Sequence, residues 1–273
     1  MTLETRIASN DLDIDLIRRQ LSTRAVGHVV YLFGEVSSTS ERLRQLAKEG
    51  AREGTVLLAE SQSDGRGRLG KKWFSPFGVN LYASVLFRPH ITPKQAPVFS
   101  FIASLALADA VRRIGVQPAI KWPNDILAER KKVAGVLADL ATSGELLDYV
   151  ILGVGVNLNV EKKVLLDALG EAGQAATSLR EVTGAEVDRN AFAASFLNSL
   201  DEWFHVYRGH GESALIRAWR DLDILTGRRI AVKGEQSTIE GRAIGVDADG
   251  YLLVKDPLGR RHQIIGGEIR LID

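Results

Sequence analysis

The sequence contains no cysteine. That excludes disulfides, thiolate nucleophiles and cysteine-bound metals, and it suits a reducing compartment. An excess of charge of one sign is also missing: 35 Lys and Arg stand against 34 Asp and Glu, a net charge of +1. A nucleic-acid-binding domain normally shows a clear basic surplus, so a bulk polyanion binder is disfavoured. Long apolar runs are absent too. No window approaches the roughly 18 apolar residues of a membrane span, and "MTLETRIASNDLDIDLIRR" holds no apolar core of signal-peptide length. The expectation is a soluble cytoplasmic protein without a membrane partner. The five histidines are scattered; His205 and His210, five apart, miss the i,i+4 helix face, so no protein-held metal site is assigned.

What is present is ordinary globular material: 273 residues, 45% hydrophobic and 25% charged, enough for one large domain or two smaller ones. Ser9 or Asn10 is read as the cap of a short helix with Leu12, Leu16, Ile17 and Leu21 on one face. "HVVYLFGEV" (28–36) reads as a buried strand, and "SSTSERLRQLAKEG" (37–50) as a capped helix closed by Gly50. "TVLLAE" (55–60) and "VNLYASVLFRP" (79–89) read as strands, and "APVFSFIASLALADAVRRIG" (96–115) as a long apolar helix. Residues 119–140 read as three strands joined by turns, and 146–159 as one more. Residues 160–186 look loop-like, with a helical turn in "KKVLLDALGEAG". Residues 188–209 and 212–225 are amphipathic helices. After Thr226 the pattern changes to short strands punctuated by Gly234, Asp249-Gly250 and Gly259, the rhythm of a small β-barrel. The domains are therefore expected at 1–226 and 227–273.

Four segments carry chemistry. "GRGRLGKKW" (65–73) lies between strands and combines glycines, which allow close backbone approach, with arginines, which bind planar anions. It is neither a Walker loop nor a Rossmann fingerprint, and it reads as an anion-binding loop over a small ligand, a nucleic-acid patch or a basic surface turn. "KWPND" (121–125) puts Asn124 and Asp125 where an extended segment breaks; Trp122 reads equally well as core. Lys132 follows beside small residues, where Gly135 leaves room for a ligand or the lysine simply faces solvent. "GVGVNLN" (153–159) has glycines inside a strand, the mark of close approach or of tight packing, and "EVSSTS" (35–40) offers hydroxyls at a helix start.

In this order the segments resemble biotin protein ligases, from about Glu35 to the C-terminus. The carriers are "SST" (37–39), residues 60–89, residues 121–139, "GVGVNLN" and the terminal "GGEIRL" (266–271). The resemblance implies an α/β (α+β) catalytic domain with a mixed, largely antiparallel sheet, like that of class II aminoacyl-tRNA synthetases, and an SH3-like β-barrel after it. The short N-terminus implies a ligase-only form without a DNA-binding domain. It also implies ATP-dependent activation of biotin to biotinyl-5′-AMP, with Mg²⁺ screening the triphosphate, and transfer to a lysine of a biotin carboxyl carrier protein; a homodimer stays open. By position, Ser38, Thr39, Ser40, Gln62, Arg66, Gly67, Arg68, Lys132 and Gly135 match biotin contacts. Arg68, Asn124, Lys132 and Asn157 match adenylate contacts. Arg66, Arg68 and Lys132 would offset the charge of the two anionic reactants, and Asp125 would orient or deprotonate the acceptor lysine. Trp73, Phe74 and Phe77 would anchor the loop and exclude water. Two departures stand out: Ser40 replaces a frequent asparagine, and residues 160–187 hold no tryptophan to cap an adenine. The competing readings are a lipoate- or octanoate-type ligase or transferase of the same fold, and a nucleic-acid-binding regulatory module.

Overall fold

The computed structural model describes residues 10–234 and 238–272. After α1 (Ile14–Arg18) come β1 (Val30–Val36), α2 (Thr39–Lys48), β2 (Val56–Gln62) and β3 (Leu81–Phe87). They are followed by α3 (Pro97–Arg113), β4 (Ala119–Lys121), β5 (Asp125–Ala128), β6 (Lys131–Ser143) and β7 (Leu146–Val156). Five helices come next: α4 (Lys162–Leu169), α5 (Glu171–Gln174), α6 (Leu179–Thr183), α7 (Arg189–His210) and α8 (Glu212–Arg220). The last strands are β8 (Arg229–Lys233), β9 (Thr238–Val246), β10 (Leu252–Lys255), β11 (Arg261–Ile264) and β12 (Glu268–Leu271).

Strands β1 to β7 form one sheet in the order β1-β2-β3-β7-β6-β5-β4. Only β1 and β2 run parallel; the other neighbours are antiparallel. The central strands β2, β3 and β7 are near-continuous buried runs because helices cover both faces. On one side α3 and α7 build the main core, where Phe87, Phe99 and Phe204 meet at centroid distances of 4.6–6.1 Å. Helix α3 is apolar nearly all round, as a helix wedged between a sheet and a second helix must be. On the other side α2 lays Leu43 and Ala47 on Leu57, Leu86, Tyr149 and Ile151.

Several expectations need correction. The cap of α1 is Asp13, whose carboxylate accepts from the N–H groups of Asp15 (2.7 Å) and Leu16 (3.1 Å); Ser9 lies outside the described residues. Strand β1 is not a buried strand but a half-exposed sheet edge. Residues 160–186 hold three short helices rather than mostly loop. Among the described residues the C-terminal strands form an open antiparallel sheet, order β11-β10-β9-β8-β12, without a pairing of β11 to β12 that would close a barrel. The sheet must still curl. Its flat edges would lie about 19 Å apart at strand spacing, while the link 265–267 from β11 to β12 reaches at most about 14 Å.

Candidate active site

The site lies on the α2 face of the large sheet, where the surface changes from apolar to bare. Ser84 on β3 is opposite Gly153 on β7, and Gly153 and Gly155 on β7 are opposite Leu137 and Gly135 on β6. Alternation therefore continues the Leu86–Ile151 patch into a floor of glycines and one hydroxyl. Each glycine makes room for a neighbour. A Cβ on Gly153 would meet the Ser40 hydroxyl at 2.5 Å, and one on Gly155 would sit 2.3 Å from the Trp73 indole.

Above this floor, the start of α2 and the end of β2 build a polar chain. The Thr39 N–H and hydroxyl donate to Gln62 Oε1 (2.8 and 3.1 Å). Ser84 Oγ donates to Thr39 Oγ1 (2.8 Å) and lies 3.0 Å from Ser40 Oγ. Gln62 Nε2 donates to Ser75 Oγ (3.0 Å), which donates to the Trp73 carbonyl (3.0 Å). Ser38, Thr39 and Ser40 are all buried, yet all line the cleft. Ser38 makes no side-chain cap bond to α2, which leaves its hydroxyl free of that task.

The glycine-arginine loop closes one side. It folds on itself through Gly67 N–H to Lys71 O (2.7 Å) and Trp73 N–H to Gly65 O (2.8 Å). Gly65 is obligatory, because a Cβ there would lie 2.5 Å from the Trp73 carbonyl oxygen. Leu69 adopts a positive φ of 56° at the exposed tip. Arg66 pairs with Glu41 on α2 (2.9 Å), which also binds Arg44 (2.6 Å). Lys132 pairs with Asp125 (2.5 Å) and stands 5.3 Å from the centre of the Trp73 ring. Arg68 differs. Among the described residues it makes no ion pair, only a 3.4 Å contact to Asn124 Oδ1. Burial pulls its guanidinium below the ordinary arginine range, and the nearby Asp125 charge offsets part of that shift.

The cleft thus brings together Ser38, Thr39, Ser40, Gln62, Arg66, Gly67, Arg68, Asn124, Lys132 and Gly135. Asp125 reaches it through Lys132. Asn157 does not line it: that side chain is buried and donates to the Thr177 carbonyl (3.0 Å). The aromatic anchors divide. Trp73 is a wall of the cleft and Phe74 packs against Val160, Leu165 and Ala176, but Phe77 is 64% exposed and anchors nothing. Trp122 is core, its Nε1–H bonded to the Gly250 carbonyl (3.0 Å). Sequence reasoning missed Ser84 and Glu41. The alternation of "LYASVLF", with one serine among apolar residues, was the available signal for Ser84; Glu41 had none beyond its helix-start position. Among the described residues no group of three His, Asp or Glu side chains converges as a metal site, and no helix is long and apolar enough to cross a membrane.

The chain can be set beside known proteins. Residues 32–157 match the biotin/lipoate A/B protein ligase family, and residues 225–271 match the biotin protein ligase C terminal domain. The bifunctional ligase/repressor BirA of Bacillus spizizenii is 31% identical over 257 residues, covering 93% of this chain and 78% of that protein. The biotin--[acetyl-CoA-carboxylase] ligase of Mycobacterium tuberculosis is 34% identical over 243 residues, 86% of each chain. The biotin protein ligase of Aquifex aeolicus, solved with biotin and ATP, superposes with a TM-score of 0.75 at 29% identity, over 89% of this chain and 98% of that one.

Proposed function

Because this chain belongs to the biotin/lipoate A/B protein ligase family, on the biotin protein ligase side of it, we propose that it joins biotin to a biotin-accepting carboxylase domain in two steps. In the first, a biotin carboxylate oxygen attacks the α-phosphorus of ATP. Biotinyl-5′-AMP forms and pyrophosphate leaves. In the second, the acceptor lysine amine attacks the acyl carbon, the amide forms and AMP leaves with the bonding pair. The division into a catalytic unit, 1–226, and a C-terminal unit, 227–273, is part of this reading. It calls for no DNA and no membrane, and a cysteine-free chain suits a reducing cytoplasm.

One observation carries the proposal. A single cleft is lined together by a chain of hydroxyl and amide groups, by glycines of the sheet floor, and by the cations Arg66, Arg68 and Lys132. A ureido ring needs donors and acceptors, which Ser38, Thr39, Ser40 and Gln62 supply; the dithiolane of lipoate would leave them unsatisfied. The carboxylate and the phosphates repel each other, and fixed cations placed where they meet lower that barrier. Lys132 would exchange Asp125 for the substrate oxygens. Asp125, released, would then be able to orient the acceptor lysine and take up its proton, since a free lysine amine is mostly protonated near neutral pH. Asn124, held to Val136 through both its side chain and its carbonyl, would fix the adenylate side. Mg²⁺ would arrive as the counter-ion of ATP, its ligands being phosphate oxygens rather than a protein cluster. Asn157 would act through the backbone it holds. The test is incubation with ATP and labelled biotin or lipoate: accumulation of biotinyl-5′-AMP alone is expected, and a lipoyl adenylate with no biotinyl one would overturn the reading.

A further inference from the structure

The C-terminal sheet distributes its charges in an unusual way. On its outer face Lys233 of β8 lies directly opposite Glu268 of β12. Glu268 also binds Lys71 of the site loop (3.3 Å), and this contact holds its carboxyl below the usual range. Four residues along β8, on the same face by strand alternation, the pattern reverses. Arg229 is opposite Arg242 on β9, Arg242 is opposite Lys255 on β10, and Lys255 is opposite Arg261 on β11. All four are exposed.

Like charges directly opposite each other destabilise an antiparallel sheet, whereas opposite charges support it. Three consecutive like pairs across four strands therefore work against the cohesion of the sheet, although the same sheet uses an opposite pair at Lys233 and Glu268. Nor does the row express a general surplus, since the chain carries 35 basic against 34 acidic residues. A groove lies along three members of the row, Arg229, Arg242 and Lys255, and Glu240 and Asp256 contribute to its walls. Asp256 is already bound by Arg260 and His262 (both 2.9 Å), which leaves the row basic in balance. Gly241 adds bare backbone to the groove lining.

We infer that this row is the docking surface for an acidic face of the acceptor protein, an inference that rests on the ligase reading above. The row contains no aromatic side chain, so nucleic-acid bases would find no stacking platform. A protein carrying carboxylates suits a flat row of four cations spaced about 4.8 Å apart. The position is also suitable. Arg261 lies four residues before Ile265, about 14 Å along the chain, and the next residue, Gly266, adjoins Arg68, since a Cβ there would be 3.5 Å from Nη2. A small domain resting on the row overhangs the cleft. Such a surface acts mainly by steering, raising the association rate in a salt-dependent way.

The test is the double variant Arg242→Glu/Arg261→Glu. It turns all three like pairs of the row into opposite pairs while losing the Arg242 bond to the Gly227 carbonyl (2.7 Å), so its melting temperature should stay close to the parent's. Biotinyl-5′-AMP formation should match the parent. With a purified biotin-accepting carboxylase domain at low salt, kcat/KM for transfer should fall about tenfold, and the parent's decline with added salt should disappear. Unchanged kcat/KM at low salt would overturn the inference, as would an equal loss of adenylate formation. Salt-sensitive binding of a DNA oligonucleotide by the parent but not the variant, with transfer intact, would assign the row to nucleic acid instead. If the parent makes no biotinyl-5′-AMP, the ligase reading itself falls and takes this inference with it; normal adenylation with unaltered transfer removes the inference alone.

Discussion

Arg68→Ala separates catalysis from stability more cleanly than any other change in the cleft. Its one side-chain bond, 3.4 Å to Asn124, is longer than a good hydrogen bond, and among the described residues it forms no ion pair. Removing it should change folding free energy by less than about 1 kcal/mol, the range of a weak partly exposed contact. Its function is another matter. The guanidinium keeps its charge against a desolvation penalty, as its lowered pKa shows. An arriving anion relieves that penalty, and most strongly where the carboxylate and the α-phosphate converge. Loss of one preorganised charge donor costs about 2.7–4 kcal/mol of transition-state stabilisation, or roughly 10²–10³ in rate. The assay is biotin-dependent exchange of labelled pyrophosphate into ATP, run beside a urea melt. Arg66→Ala is the internal comparison: Arg66 is 45% exposed and already paired with Glu41, so its loss should cost about 1 kcal/mol, nearer fivefold. Exchange by Arg68→Ala within threefold of the parent would refute the reasoning, and so would a loss matched by a comparable loss of stability.

The other predictions are these. Asp125→Asn breaks the 2.5 Å pair with Lys132 without changing side-chain size; it should still form biotinyl-5′-AMP yet transfer it slowly, with partial rescue at raised pH, and equal impairment of both half-reactions in single-turnover assays would count against the lysine-orienting role. Gly155→Ala places a methyl 2.3 Å from the Trp73 indole, and the surface loop gives way more readily than the sheet, so biotin should bind about 1–3 kcal/mol more weakly. In a Trp73→Ala background that penalty should shrink to near zero by titration calorimetry; an undiminished penalty would show that the indole is not the obstacle. Arg189→Met strands the buried Glu60 carboxylate together with the Asn10, Gly78 and Asn80 carbonyls; about 3–5 kcal/mol should be lost, a fall in melting temperature on the order of 10 °C. Adding Glu60→Gln should restore part of it, and a melting temperature unchanged by Arg189→Met would rule out that role for the pair.

Much of this protein is legible without a fold. Gly50 ends α2, the helical spacing of Phe192, Phe196 and Leu200 marks α7, and glycine next to arginine marks the loop, because each signal lies within a few residues of what it controls. The resemblance also placed residues 38–40, 62, 66–68, 124, 132 and 135 at one site, and the structure gathers them in one cleft. Other features depend on what a residue meets across the sheet. Lys132 on β6 and Asn157 just past the end of β7 look equally available in the sequence, yet one turns to the cleft and the other to the Thr177 carbonyl. Ser84 becomes part of the polar chain only because register sets it opposite Gly153 and under Thr39. Trp73 is a wall rather than an anchor because Gly135 and Gly155 leave a space the size of its indole. Arg229, Arg242, Lys255 and Arg261, spread over 33 positions of the sequence, form a row only once four strands are paired. Local chemistry is set by covalent neighbours and can be read along the chain, whereas contacts between distant segments are set by strand register and packing, which no single stretch of sequence contains.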